Sequence, residues 1–179
     1  MSAKVNTSKM LHKGRVFDIY QDNVTLENGA CLDMEIIRHP GASAIVAMTS
    51  KKEVLLIKQY RYAVGGFIWE IPAGTFDGKE PPLECARREL TEETGYVAKN
   101  WEKLGEITPV PGYSDERIHL FLARDLTQKS QNLDHDEILD VHKIAYDKVL
   151  SMVNNGEIQD AKTLAALFLA NTLISSYGV

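Results

Sequence analysis

The sequence predicts a mixed α/β domain, with helices packed on a β-sheet and a β-hairpin arm ahead of it. Three observations predict that class. Short apolar runs of strand length recur from Gly41 onward, one amphipathic helix pattern interrupts them after Glu80, and two helical segments close the chain. At 179 residues and 44% hydrophobic, the chain can bury one good core and is too short for two ordinary domains.

Each element has a local cause. Residues 14–39 read as a hairpin: GRVFDIYQDNVTL and ACLDMEIIRH are β-prone, and Glu27-Asn28-Gly29 between them is a turn signal. The arm is therefore taken as residues 1–40 and the main domain as 41–179. SAIVAM and EVLLIKQYR follow as apolar strands, and FIWEIPAG leads into Gly74. Pro81 suits a first helical turn, where its missing N–H costs nothing, and Gly95 suits the left-handed residue past a helix end. A helix from about Pro81 to Thr94 fits between them. EKLGEITPV and RIHLFLARDL are further strand candidates. YDKVLSMVNN, ended by Gly156, and DAKTLAALFLANTLISS read as helices, the second with Asp160 as its N-cap.

Composition excludes several classes. Net charge is −5 and the basic pairs are isolated, so the chain lacks the stripe that binds a nucleic-acid backbone. No apolar run reaches bilayer length, and the polar start MSAKVNTSKMLHKG has no signal-peptide core. No membrane partner and a cytoplasmic location are expected. Cys31 and Cys85 have no metal-type spacing.

Chemistry concentrates between Gly74 and Tyr96. The frame is Gly74, Glu80, Arg88-Glu89-Leu90, Glu92-Glu93, Gly95 and an apolar residue, Tyr96. Its seven fixed identities, with Leu90 and Tyr96 counted only as apolar, should meet by chance on the order of 10⁻⁷ times per chain of this length. At about 100° per residue, Glu89, Glu92 and Glu93 share one helix face, beside an apolar arc of Leu83, Ala86 and Leu90. Carboxylates at i, i+3 and i+4 repel unless a cation lies among them. Hard ions such as Mg²⁺ are held by a few carboxylates plus substrate phosphates.

This segment resembles the Nudix box, the signature of hydrolases that cleave a nucleoside diphosphate linked to another moiety. Tyr96, where the family has an aliphatic residue, is the one departure and concerns packing. The resemblance implies an α/β/α Nudix sandwich in which Glu89, Glu92 and Glu93 bind catalytic Mg²⁺ or Mn²⁺. It also implies that Arg88 orients the glutamates, that Glu80 sits near the metals, and that the Ala73 carbonyl is a ligand. Pro72 and Gly74 restrict the backbone there.

Three further segments narrow the branch. Arg61, ending a strand, suits bidentate bonds to phosphate and resembles the phosphate-contacting arginine of ADP-ribose pyrophosphatases. Tyr60 offers a face for stacking a nucleobase. The stiff loop PVPGYSDE brings Ser114, Asp115 and Glu116, groups suited to sugar hydroxyls, and resembles the loop that marks the nucleotide-sugar branch. By resemblance, Glu137 aligns with a loop glutamate that serves as general base, with Glu93 the other candidate. The expectation is a Mg²⁺-dependent pyrophosphatase acting on ADP-ribose, and a homodimer whose N-terminal arms cross. GDP-mannose or another nucleotide sugar is the alternative substrate. A non-catalytic ligand-binding regulator is the alternative class, and the complete set of carboxylates argues against it.

Overall fold

The computed structural model describes residues 3–131 and 138–176. The chain divides into two compact units: residues up to 41 with 108–117, and residues 42–107 with 118 onward. The first unit is an antiparallel sheet of β1 (Lys4–Lys13), β2 (Asp18–Thr25) and β3 (Cys31–Arg38), in that order. The expected hairpin is β2–β3, and Gly29 in its turn takes φ 83°. β1 is an addition. All ten of its residues are exposed, so no alternating burial marks it in the sequence, and pairing with β2 holds it. The loop 108–117 is tied to this sheet through Ile37, whose N–H donates to the Tyr113 carbonyl at 2.7 Å. The Asp115 N–H in turn donates to the Ile37 carbonyl at 3.2 Å.

The second unit holds β4 (Ala42–Ala47), β5 (Glu53–Arg61), β6 (Gly66–Glu70), β7 (Ala73–Thr75) and α1 (Pro82–Thr94). It continues with β8 (Tyr96–Ile107), β9 (Ile118–Gln128), β10 (Leu139–Ala145), α2 (Tyr146–Asn154) and α3 (Ala161–Ser176). Two sheets result, ordered β7-β4-β9-β8 and β10-β5-β6. β4 is buried at every residue and runs parallel to β9. Its side chains alternate between two cores. Ile45 and Ala47 pack with Ala86 and Leu90 of α1, whereas Ala44 and Val46 pack with α2 and α3 through Val149, Met152, Ala166 and Leu167. Strands lined by helices on both faces make an α/β/α sandwich.

Both ends of α1 follow from their residues. Pro81 lies just outside with φ −64° and ψ 145°, and Pro82 becomes the first helical residue. Gly95 takes φ 69° and donates its N–H to the Thr91 carbonyl at 2.9 Å. β8 starts at once with Tyr96, buried against the α1 core, which is how the aromatic is accommodated. β10 carries mixed polar and apolar residues and takes its place by antiparallel pairing with β5. Among the described residues, no helix is long and apolar enough to cross a membrane.

Candidate active site

α1 buries Ala86 and Leu90 against β4, and that contact turns Glu89 and Glu93 inward beside them. Arg88 lies between the carboxylates. Its Nε and Nη2 donate to Glu80 at 3.2 and 2.9 Å, and Nη1 donates to Glu89 at 2.6 Å and Glu92 at 3.0 Å. Nη2 also reaches the Thr75 carbonyl at 3.0 Å, fastening the helix to the end of β7. The five oxygen contacts match the five N–H donors of a planar guanidinium. The Glu80 hydrogen bond raises the Arg88 pKa above its already high ordinary value, and Arg88 in turn holds Glu80 below the usual carboxylate range.

Glu93 is 1% exposed and accepts the Ala73 N–H at 2.8 Å. The side-chain amide of Gln131 donates to its backbone carbonyl. Opposite the helix, Gly74 gives Glu89 its room: a Cβ built at Gly74 would fall 1.8 Å from Glu89 Oε1. Cys85 is buried here with its thiol on the Gly74 carbonyl at 3.4 Å. Burial first, then the Glu89 and Glu80 charges, push that thiol up to about 12, so it is a packing group and no nucleophile.

As folded, Glu89 and Glu92 turn their oxygens to Arg88. Among the described residues no group of three His, Cys, Asp or Glu side chains is gathered for an ion. The donor chemistry nevertheless fits a hard divalent cation. Carboxylate oxygens are its preferred ligands, one guanidinium does not neutralise four neighbouring glutamates, and Gly74 leaves the Glu89 carboxylate the room it occupies beside β7.

Arg61 belongs to a second network. Its Nε and Nη2 donate to Glu70 at 2.7 and 2.9 Å, a bidentate clamp, and Lys162 from α3 also donates to Glu70 Oε2. Lys162 lies 3.1 Å from Asp160, which caps α3 as expected by accepting the Thr163 N–H at 3.0 Å. Burial opposes the Glu70 charge, but Arg61 and Lys162 outweigh it and hold the carboxyl below its ordinary value. For Arg61 the Glu70 bond leads in raising its pKa, burial opposes, and Glu93 adds a coulombic pull. The two networks therefore lie within electrostatic reach of each other.

Other expected site residues stand elsewhere. Tyr60 alternates with Arg61 along β5, so it lies on the opposite face, edge-on to Phe67 with ring centroids 5.4 Å apart. Ser114 and Glu116 belong to the first unit. The Ser114 hydroxyl accepts the Glu116 N–H at 3.1 Å, and Asp115 takes Arg38 at 3.2 Å. Glu137 lies outside the described residues. Sequence reasoning missed Glu70 and Lys162. The available signal was a charged residue set between Trp69 and Ile71 in an apolar strand, because a buried carboxylate requires a partner.

Comparison with known proteins adds context to this geometry. A family model described as NUDIX domain matches residues 37–167. The chain is 37% identical over 169 residues to an ADP-ribose pyrophosphatase of Bacillus subtilis (strain 168), covering 93% of this chain and 91% of that protein. It is 38% identical over 166 residues to a methanol dehydrogenase activator of Bacillus methanolicus, covering 92% and 90%. It is 36% identical over 152 residues to a GDP-mannose pyrophosphatase of Escherichia coli (strain K12), covering 75% and 79%. A crystal structure described as an ADP compounds hydrolase superposes with a TM-score of 0.86 at 21% identity, covering 99% of this chain and 97% of that one.

Proposed function

This chain belongs to the NUDIX family of hydrolases, and from that premise we propose that it cleaves the diphosphate of nucleoside diphosphate sugars, ADP-ribose first among them. The carrying observation is the crowd of glutamates around Arg88: more negative charge converges on α1 and β7 than the arginine cancels. Glu89, Glu92, Glu93 and the Ala73 carbonyl would hold Mg²⁺, or Mn²⁺, with Glu80 beside them. Such an ion supplies charge neutralisation at the diphosphate and lowers the pKa of a bound water.

The chain's own groups do the rest. Arg88 keeps Glu80, Glu89 and Glu92 in one orientation. Arg61, two-fifths exposed, presents guanidinium hydrogens outside its Glu70 clamp and takes diphosphate oxygens. Glu137 accepts the proton of the attacking water as the bridging P–O bond breaks, giving AMP and ribose 5-phosphate from ADP-ribose. Glu93 is the other candidate base. The exposed strand β1, with Val5, Met10 and Leu11 uncovered, supports a homodimer in which the arms cross.

Two of the relatives' names support the substrate class, one pointing to ADP-ribose and the other to GDP-mannose. GDP-mannose is thus the second reading. A side-by-side panel of kcat/KM at fixed Mg²⁺, with a chelated control, tests both. ADP-ribose should exceed ATP, 8-oxo-dGTP and capped RNA by at least about tenfold, a gap of about 1.4 kcal/mol, and activity should vanish on chelation. A nucleoside triphosphate at the top would overturn the substrate class. GDP-mannose at the top would overturn only the preference.

A further inference from the structure

We propose that Lys162 and Glu70 are positioning residues, which together fix the direction of Arg61 and preserve its positive charge for the diphosphate. The inference rests on the reading of Arg61 given above.

Register comes first. In the β5–β6 pair Ile57 faces Glu70, Gln59 faces Ile68 and Arg61 faces Gly66, so all these side chains lie on one face of the sheet. Arg61 and Glu70 are thus diagonal, two pairs apart, and lean toward each other across Gln59 and Ile68. The clamp takes Nε and Nη2 of a rigid fork, which fixes the guanidinium plane and leaves the Nη1 hydrogens outside it. Arg61 is 40% exposed while Glu70 is 1% exposed, so the outward end of the network is the cation.

Charge comes second. With Glu70 as its sole neighbour, Arg61 would form a neutral pair and pull little on a diphosphate. Lys162 donates to the same Glu70 oxygen, Oε2, that accepts Arg61 Nη2. One carboxylate is therefore shared by two cations. Asp160 beside Lys162 does not cancel this in full. It accepts the Thr163 N–H at 3.0 Å and hydroxyl at 2.6 Å, at a helix N-terminus that carries about half a positive charge. A bond from the Ile71 N–H to the Thr163 hydroxyl at 2.9 Å already ties α3 to the segment after β6. Fastening α3 there accordingly does not require a charged group at residue 162.

Steady-state kinetics with the nucleotide sugar turned over fastest decides the matter, using Lys162→Met, Lys162→Gln, Lys162→Arg, Arg61→Ala and the Arg61→Ala/Lys162→Met double variant. Lys162→Met and Lys162→Gln should raise KM by about threefold to tenfold with kcat changed less, and Lys162→Arg should restore KM. In the Arg61→Ala background the same change at residue 162 should move KM by less than about twofold, because Lys162 acts through Arg61. A purely structural role would lower Tm and raise KM equally in both backgrounds, which overturns the proposal. If Arg61→Ala raises KM and the Lys162 variants do not, the reading of Arg61 stands and this inference falls. If Arg61→Ala itself leaves KM unchanged, the reading of Arg61 fails and takes the inference with it.

Discussion

Arg88 and Arg61 are both held by glutamates, yet their surroundings lean in opposite directions. Arg88 is one guanidinium facing Glu80, Glu89 and Glu92, with Glu93 one helical residue further on. Arg61 shares a single buried glutamate with Lys162. The first region is short of positive charge and attracts cations. The second sets two cations against Glu70 and the helix-capping Asp160 and turns its exposed cation, Arg61, outward, where an anion can meet it. A substrate made of a diphosphate with a divalent ion needs both, side by side. Glu93 links them, since its charge acts on Arg61 while its carboxylate accepts the Ala73 N–H.

The comparison breaks most visibly at Glu93. Glu93→Gln keeps the shape and an acceptor for the Ala73 N–H while removing a charge from the anionic region. We expect kcat to fall by about 10²–10³-fold or more at saturating Mg²⁺, with thermal unfolding little changed. Steady-state kinetics beside a melting curve measures this. A near-wild-type kcat would mean that the anionic region does not carry the chemistry.

Gly74→Ala sharpens the same region with a smaller effect. Its Cβ would meet Glu89 Oε1 at 1.8 Å, but that atom ends a flexible side chain, so Glu89 swings and the backbone stays. The Mg²⁺ concentration for half-maximal rate should rise about tenfold while Tm shifts little, as expected when a supporting position around a metal ligand is disturbed. A Mg²⁺ titration that superposes on the wild type would remove Glu89 from the ligand set.

The two regions were unequally legible in the sequence. The anionic one is written in a single helix, where spacing, an apolar arc and the terminal Pro and Gly all agree, so α1 and its glutamates could be read from local rules. The cationic one joins Glu70 to a lysine 92 residues away, and no local rule pairs them. Only the misfit of a glutamate in an apolar strand hinted at it. β1 escaped for another reason, since a strand exposed on both faces carries no burial alternation. The PVPGYSDE loop was legible as a turn, but no local rule announced that the Ser114 hydroxyl accepts the Glu116 N–H two residues on.

Acid stability supplies the finest test of the difference. Glu70 is held below its ordinary value of 4.5, burial notwithstanding, because Arg61 and Lys162 favour its charged form. A carboxylate with a depressed folded-state pKa binds fewer protons folded than unfolded between the two values, so its stabilising contribution is full above the unfolded value. It is lost as pH falls through the folded one. Other carboxylates titrate in the same range, so the informative quantity is the difference between wild type and Glu70→Gln, which cannot titrate at that position. Urea unfolding from neutral pH to about pH 3 should give a difference that is constant above the ordinary glutamate value and shrinks below it. Were the difference to stay constant down to about pH 3, Glu70 would not be the ionised partner of Arg61 and Lys162. The contrast between a cation-seeking and an anion-seeking arginine would then rest on the α1 region alone.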